Sequence, residues 1–332
     1  MFNARRAMAR RAGTVGARRL TNLRVACVKE SAAGEARVAL VPKDVAALIK
    51  KGAAVSIETN AGALAGLTDT MYTEAGATIV SKEDAWKSDL VVKVTPPTSA
   101  EAKDVGDRMI AGMLSGRQNE ALVGQLAAQG ATVFDLTMLL RTLSRGQAFD
   151  VLSSQASIAG YRAVVEVANS MQRPFAGQST AAGRIDPSKV LVVGAGVAGL
   201  AAIQAAKNMG AIVTAFDVRA AAAEQVESIG AKFLYVDFDE AGDGEGGYAK
   251  EMSPEWFAAA EKTLLKECAK TNAIITTALI PGRQAPVLIT RSMVEAMPYG
   301  GCTVDLAAEA GGNVETTVAG EVVTMPSNGE CV

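Results

Sequence analysis

Histidine is absent from all 332 residues of the sequence. It is the side chain most often used for general acid–base catalysis near neutral pH, and its imidazole is a common metal ligand. Its absence excludes Ser–His and Cys–His nucleophiles and imidazole metal sites. Chemistry at this chain must therefore need little proton transfer, or must use lysine, aspartate, glutamate or tyrosine.

Other scarcities narrow the class of protein further. The four cysteines are scattered without a C-x-x-C pair, which favours reduced thiols over a disulfide or metal site. The formal net charge of -2 gives no reason to expect nucleic acid as a partner. The longest apolar run, Val190 to Ile203, is too short to span a membrane and contains three glycines.

The N-terminal segment, residues 1–20, differs in composition from the rest of the chain. It is rich in arginine, and no acidic residue precedes Glu30. This pattern is typical of a mitochondrial targeting presequence. We therefore expect a mature protein in the mitochondrial matrix; the alternative is a basic disordered arm that binds acidic surfaces.

Strand and helix patterns alternate along the remaining chain, which predicts an α/β fold with parallel sheets. Its length suits two domains with full hydrophobic cores. We expect an N-terminal α/β lobe over 21–145, a linking helix within 146–176, and a second lobe over 177–332. The helix, Gly146 to Met171, has apolar residues at 3/4 spacing and a polar face near its start. Residues 177–188 are expected to be a linker.

The most informative stretch is an apolar strand that runs into three glycines, Gly194, Gly196 and Gly199. In the G-x-G-x-x-G pattern the first glycine permits the tight turn, and the second lets a pyrophosphate approach the backbone. The third lets the following helix pack closely on the strand, and the helix N-terminus attracts phosphate. The stretch therefore predicts a dinucleotide site.

Asp217 ends the next strand, at the spacing of the acid that accepts hydrogen bonds from the adenosine ribose. A carboxylate there repels a 2′-phosphate, so NAD(H) is favoured over NADP(H). Arg219 would suit a phosphate, but beside Asp217 a solvated position at the start of a helix is favoured for it. Further along, an acidic, glycine-rich loop carries Tyr248, which either covers the nucleotide as a lid or lies in a disordered surface loop.

Several long stretches, from about residue 23 to about 325, resemble the NAD(H)-binding domain of the alpha subunit of proton-translocating NAD(P)+ transhydrogenase. They are EARVAL from Glu35, DVLSSQASIAGYRAVVE from Asp150, VLVVGAGVAGLAAI from Val190, GAIVTAFDVR from Gly210, GGYAKEM from Gly246, TTALIPGRQAP from Thr276 and VDLAAEAGGN from Val304. The resemblance implies two Rossmann-like lobes with a cleft between them, usually in a homodimer. It also implies hydride transfer from bound NAD(H) to NADP(H) on a separate domain, and a membrane domain that conducts protons.

The resemblance also assigns site residues. On the nicotinamide side these are Gln147, Asp150 and Ser153, and Arg145 is a further candidate there. The residues implied to bind the cofactor are Gly194, Gly196, Val197, Gly199, Asp217, Val218, Arg219, Tyr248, Thr277, Ala278 and Leu279. The missing histidine fits this chemistry independently, because hydride transfer between two nicotinamide rings moves no proton.

The chain departs from the family at two points. Just before the long helix, the arginine that the family places five residues ahead of the glutamine is Thr142 here, and Arg141 is displaced by one position. After Met325, the chain lacks the family's helix that returns to the first lobe. Arg141 or Arg145 are the candidates to substitute for the displaced arginine.

Two other functions remain open. The departures support a non-catalytic NAD-binding or structural subunit of a larger mitochondrial assembly. The other is a dehydrogenase of the related alanine dehydrogenase type, in which Arg37 and Lys93 resemble residues that bind the substrate carboxylate. That family also uses a histidine, which this chain lacks.

Overall fold

The computed structural model describes residues 22–140, 143–238, 252–279 and 284–325. The chain divides into two compact units, residues 1–150 and 151–332. Each unit contains a parallel β-sheet of Rossmann type, which confirms the predicted α/β class and its two lobes. The predicted cleft between the lobes stays a prediction.

The first unit is built on a six-stranded sheet. Its strands are β1 (Arg24–Cys27), β2 (Ala54–Glu58), β3 (Thr78–Val80), β4 (Leu90–Val92), β5 (Met109–Gly112) and β6 (Thr132–Asp135). Their order in the sheet is β3-β2-β1-β4-β5-β6. Its helices are α1 (Pro42–Lys50), α2 (Asp69–Glu74), α3 (Lys82–Ala85), α4 (Ser99–Val105), α5 (Glu120–Ala128) and α6 (Ser144–Gln147).

Alternate residues of β1 serve two separate cores. Val25 and Cys27 pack with Tyr72 on one face of the sheet, whereas Ala26 packs with Trp86 on the other. Because side chains alternate across a strand, the buried positions of a central strand in a two-faced sheet are apolar on both faces. This explains the apolar run over 25–28, which follows the exposed Arg24 at the start of β1.

One helix of this unit, α4, was not predicted. It is fixed by a capping box: the Glu101 N–H donates to Thr98 Oγ1 at 3.2 Å, and the Thr98 N–H donates to Glu101 Oε2 at 3.0 Å. The T-x-x-E spacing that carries this signal is present in the sequence.

The second unit begins with α7 (Val151–Ser170). Its strands are β7 (Gln178–Thr180), β8 (Gly183–Ile185), β9 (Lys189–Val193), β10 (Ile212–Phe216), β11 (Lys232–Phe233), β12 (Ala273–Thr276) and β13 (Cys302–Asp305). The last five of these form a parallel sheet in the order β11-β10-β9-β12-β13. The remaining helices are α8 (Val197–Asn208), α9 (Ala222–Ser228), α10 (Pro254–Cys268) and α11 (Arg291–Glu295). Residues of β9 alternate between two cores, as those of β1 do.

The single helix predicted over 146–171 is two helices, α6 and α7. The N–H of Phe149 donates to Gly146 O and that of Asp150 to Gln147 O, so the chain turns between them. Glycine and aspartate are poor residues for a helix interior, and aspartate favours the position just before a helix. The predicted linker over 177–188 contains the antiparallel hairpin of β7 and β8.

Helix α7 packs closely on α8 through a glycine. A Cβ at Gly160 would collide with the carbonyl oxygen of Ala198, so only glycine allows this approach. Ala198 lies in the first turn of α8, directly after the glycine turn. Within the described ranges, no helix combines the length and apolarity needed to cross a membrane.

Candidate functional site

The glycine turn joins β9 to α8 and requires glycine at two positions for different reasons. Gly194 has φ +100°, and a Cβ there would lie 2.5 Å from Thr277 Oγ1. A Cβ at Gly199 would collide with the carbonyl oxygen of Gly194. The first glycine therefore permits the turn, and the third permits α8 to pack against it.

Gly196 differs from both, because its surroundings are open. Its φ is -77°, which any residue adopts, and apart from the adjoining residues no heavy atom lies within 4 Å of a Cβ built there. Gly196 is also the N-cap of the twelve-residue helix α8. The first N–H groups of a helix have no partner within it, and the helix dipole favours an anion at this end. The turn therefore offers a phosphate both space and donors.

Asp217 follows β10 and binds back to the glycine turn. Its Oδ2 accepts the N–H of Ala195 at 2.7 Å, and its Oδ1 accepts the N–H of Arg219 at 2.8 Å. The carboxylate therefore fixes the turn and lies beside it. Between these residues, Val218 packs against the core on one face of the sheet.

Arg219 is not the solvated residue that the sequence favoured. Its Nε donates to Asp217 Oδ1 and its Nη2 to Asp217 Oδ2, each at 2.9 Å. Only 22% of its side chain is exposed. The guanidinium and the carboxylate form a two-pronged ion pair beside the glycine turn.

The loop that follows β12, the strand next to β9, contacts the glycine turn. Thr277 Oγ1 donates to Gly194 O at 3.0 Å, and the Thr277 N–H donates to Val193 O at 2.8 Å. Ala278 and the half-exposed Leu279 continue this loop. The strand order reverses between β9 and β12, and ligands of open α/β sheets bind at such a switch point.

Two residues that hold this loop were not singled out from the sequence. The buried Asn313 bonds both backbone groups of Ala278 and donates to Pro286 O at 2.8 Å. Asp305, at the end of β13, accepts the N–H of Asn313 at 2.7 Å and the hydroxyl of Thr276 at 2.9 Å. The available signal was the polar pair within VDLAAEAGGN, which follows a strand of the same sheet.

The predicted nicotinamide-side residues lie around the break between α6 and α7. Arg145 and Gln147 are exposed on α6, and Asp150 precedes α7. Ser153 lies in the first turn of α7, seven residues before Gly160 and so on the same face. That face meets the first turn of α8, which puts Ser153 about 10 Å along the helix axis from the Gly160 contact. Tyr248, Arg141 and Thr142 lie outside the described residues.

Lys93 and Arg37 in the first unit are both paired with carboxylates. The buried ammonium of Lys93 lies 3.3 Å from Glu30 Oε2 and 3.5 Å from Glu101 Oε2. Arg37 forms an ion pair with Glu35 at 2.6 Å. In this cluster of two cations and three acids, Glu30, Glu35 and Glu101 therefore offset the positive charge that a substrate carboxylate would need.

Two carboxyl groups of this cluster have lowered pKa values. Burial alone would raise the pKa of Glu101, but the hydrogen bond from Thr98 and the charge of Lys93 outweigh it. The pKa of Glu35 is lowered chiefly by its side-chain hydrogen bond from Arg37. Both groups favour the ionised form, which keeps the cluster charged and internally paired.

The N-terminal domain of the Alanine dehydrogenase/PNT family matches residues 26–159, and its C-terminal domain matches residues 163–328. NAD(P) transhydrogenase subunit alpha of Haemophilus influenzae is 46% identical over 297 residues, which cover 89% of this chain and 58% of the relative. The chain thus spans less than two thirds of that relative's length.

Solved structures give the same relationship. A transhydrogenase from Sinorhizobium meliloti has a TM-score of 0.81 and 38% identity, over 91% of this chain and 83% of that one. An L-alanine dehydrogenase has a TM-score of 0.72 and 30% identity, over 88% and 76%. With both domains matched, the chain belongs to the Alanine dehydrogenase/PNT family of oxidoreductases and resembles its transhydrogenase alpha subunits more than its alanine dehydrogenases.

Proposed function

We propose that this chain is the NAD(H)-binding component of an NAD(P)+ transhydrogenase. It donates hydride from NADH to NADP+ held by a partner domain, and a membrane domain couples the exchange to proton translocation. The observation that carries the proposal is the open glycine turn beside Asp217, in a chain so similar to transhydrogenase alpha subunits.

The second unit has the features that a bound dinucleotide needs. The open space at Gly196 and the N-terminus of α8, which begins at Val197, suit the pyrophosphate. Asp217 is the acceptor for the adenosine ribose hydroxyls. The loop from Thr277 to Leu279 meets the turn at the adjoining strand end, where it would contact the nucleotide. A lid function for Tyr248 remains part of the proposal.

The residues on the nicotinamide side act by orientation. Bound NADH supplies a hydride that passes directly between two rings, so no side chain has to take up a proton. Gln147, Asp150, Ser153 and Arg145 are the groups proposed to hold the ring by hydrogen bonds and charge. The lack of histidine is consistent with this role.

The deciding experiment follows a labelled hydride. The purified chain is mixed with an NADP(H)-binding domain of a transhydrogenase and with NADH that carries deuterium at the transferable C4 position. We expect deuterium in NADPH, measured by mass spectrometry. Tight NADH binding without transfer would instead favour the non-catalytic subunit.

An alanine dehydrogenase role has a direct test as well. The pairing of Lys93 with Glu30 and Glu101, and of Arg37 with Glu35, supports the transhydrogenase proposal over this alternative. We expect no NAD-linked oxidation of alanine by the purified chain. Measurable formation of NADH from NAD+ and alanine would restore the dehydrogenase.

Assembly and location complete the proposal. We propose a homodimer in the mitochondrial matrix, held at the inner membrane through its partners, with residues 1–20 as the targeting presequence. Sedimentation gives the oligomeric state. Fusion of residues 1–20 to a fluorescent protein tests the address, and diffuse fluorescence outside mitochondria would refute it.

A further inference from the structure

The carboxylate of Asp217 is saturated by donors from this chain. It accepts the Ala195 N–H at 2.7 Å, the Arg219 N–H at 2.8 Å, and Nε and Nη2 of Arg219 at 2.9 Å each. An ionised carboxylate has about four lone-pair positions. Only 7% of the Asp217 side chain is exposed. A ribose hydroxyl can bind here only if the guanidinium of Arg219 gives up part of its pairing.

We propose that the guanidinium of Arg219 is able to bind the 2′-phosphate of NADP(H), and that its ion pair with Asp217 prevents this binding. This inference rests on the proposed binding of a dinucleotide at the glycine turn. Asp217 then sets the preference for NAD(H) in two ways. Its charge repels a 2′-phosphate, and its oxygens accept the guanidinium N–H groups of Arg219 that the phosphate would use.

The chemistry of the two groups supports this assignment. A guanidinium presents parallel N–H donors whose geometry fits a carboxylate and a phosphate equally well. The pair lies where the strand β10 ends beside the turn, the position at which Rossmann domains recognise the ribose 2′ group. An arginine at this position accommodates a 2′-phosphate once no acid opposes it.

Removal of the charge leaves donors that suit an anion. Without the carboxylate, the N–H, Nε and Nη2 of Arg219 lose the bonds that Asp217 accepts, and so does the N–H of the buried Ala195. Buried donors without an acceptor are unfavourable, so a phosphate that satisfies them is favoured. If Arg219 were only a brace for Asp217, any gain for NADPH would come from the lost repulsion alone and would not depend on Arg219.

Four variants of the whole chain separate these roles: Asp217→Ser, Asp217→Asn, Asp217→Ser/Arg219→Gln and Asp217→Ser/Arg184→Gln. Asp217→Asn is included because its amide oxygen still accepts the Ala195 N–H if the serine variant folds poorly. Arg184 is an exposed arginine on β8, so its double variant controls for loss of one positive charge. Circular dichroism confirms folding, and dissociation constants for NADH and NADPH are measured by fluorescence titration.

We expect both single variants to bind NADPH about tenfold more tightly than the wild type, and NADH about tenfold more weakly, the scale of one charged hydrogen bond. The gain for NADPH should disappear with Arg219→Gln and persist with Arg184→Gln. No gain in the single variants, or a gain that survives Arg219→Gln, overturns the inference. Failure of the wild type to bind NADH would instead overturn the proposed function.

Discussion

Asn313 bonds both backbone polar groups of Ala278. Its Oδ1 accepts the Ala278 N–H at 2.9 Å, and its Nδ2 donates to the Ala278 carbonyl at 2.9 Å. The pair is 35 residues apart in sequence. Through this contact, the segment after β13 fixes the loop after β12, which in turn bonds the glycine turn through Thr277. The candidate nucleotide site thus depends on a residue that does not line the turn.

Asn313→Ala should destabilise the protein and weaken NADH binding. The change leaves the two groups of Ala278 and the carbonyl of Pro286 without their partner, at a cost of about 2–4 kcal/mol in the free energy of unfolding. Urea denaturation measures the stability and fluorescence titration the affinity. Asn208→Ala, on the exposed end of α8, is the matched control and should change neither by more than about 0.5 kcal/mol. Equal effects of both substitutions would contradict the assigned role.

Gly196→Ala and Gly199→Ala should separate binding from folding. A Cβ at Gly196 meets no atom, so the loss of stability should stay below about 1 kcal/mol. The added methyl group at position 196 occupies the space proposed for the pyrophosphate, so the affinity for NADH should fall at least about tenfold. A Cβ at Gly199 strikes the Gly194 carbonyl, so that variant should lose about 2 kcal/mol or more in stability. Undiminished NADH affinity in Gly196→Ala would place the phosphates elsewhere.

Lys93→Met should lower the stability of the protein. The substitution leaves Glu30 and Glu101, both nearly buried, without their shared cation. Breaking a buried ion pair from one side costs about 3–5 kcal/mol. Lys87→Met is the control, because Lys87 pairs with Asp84 on an exposed surface, where such a pair contributes about 0–1 kcal/mol. Urea denaturation compares the two, and a cost for Lys93→Met no larger than for Lys87→Met would mean that the cluster is not held by its charges.

Asp135→Asn should cost stability in a pH-dependent way. Burial alone would raise the pKa of Asp135, but hydrogen bonds from Gly116, Thr137 and Leu114 outweigh it and lower the pKa. A lowered folded pKa gives stability that is present above the unfolded value of about 3.9 and is lost as pH falls through the folded value. The difference between wild type and variant should be about 1–3 kcal/mol at pH 7.

The pH series supplies the control for that prediction. The stability difference should be constant above about pH 5 and shrink as pH falls below about 3.9. Asp104→Asn, an exposed position on α4, should remain within about 0.5 kcal/mol of wild type at pH 7. A difference for Asp135→Asn that does not change with pH would show that its charge is not the stabilising feature.

Local patterns predicted most of the elements. The sequence pattern predicts a helix over Pro42–Lys50 and a strand over Ala54–Glu58, which are the bounds of α1 and β2 in the structure. Local patterns failed where short-range chemistry competed with periodicity. The apolar 3/4 spacing suggested one helix over 146–171, but the chain turns before Asp150. The capping box of Thr98 and Glu101 marks the start of α4, a helix that the periodic pattern alone does not predict.

The sequence by itself determined the class of chemistry. The missing histidine, the glycine spacing and Asp217 are facts of composition and local order, and they are enough to predict a dinucleotide site without a histidine base. The tertiary structure decided which polar groups meet. The pairing of Arg219 with Asp217, the burial of Lys93 between two acids and the bonds of Asn313 to Ala278 all depend on it. The physical reason is that a periodic pattern assigns a residue to a face or a strand end, whereas ion pairs and hydrogen bonds require atoms to come within about 3 Å.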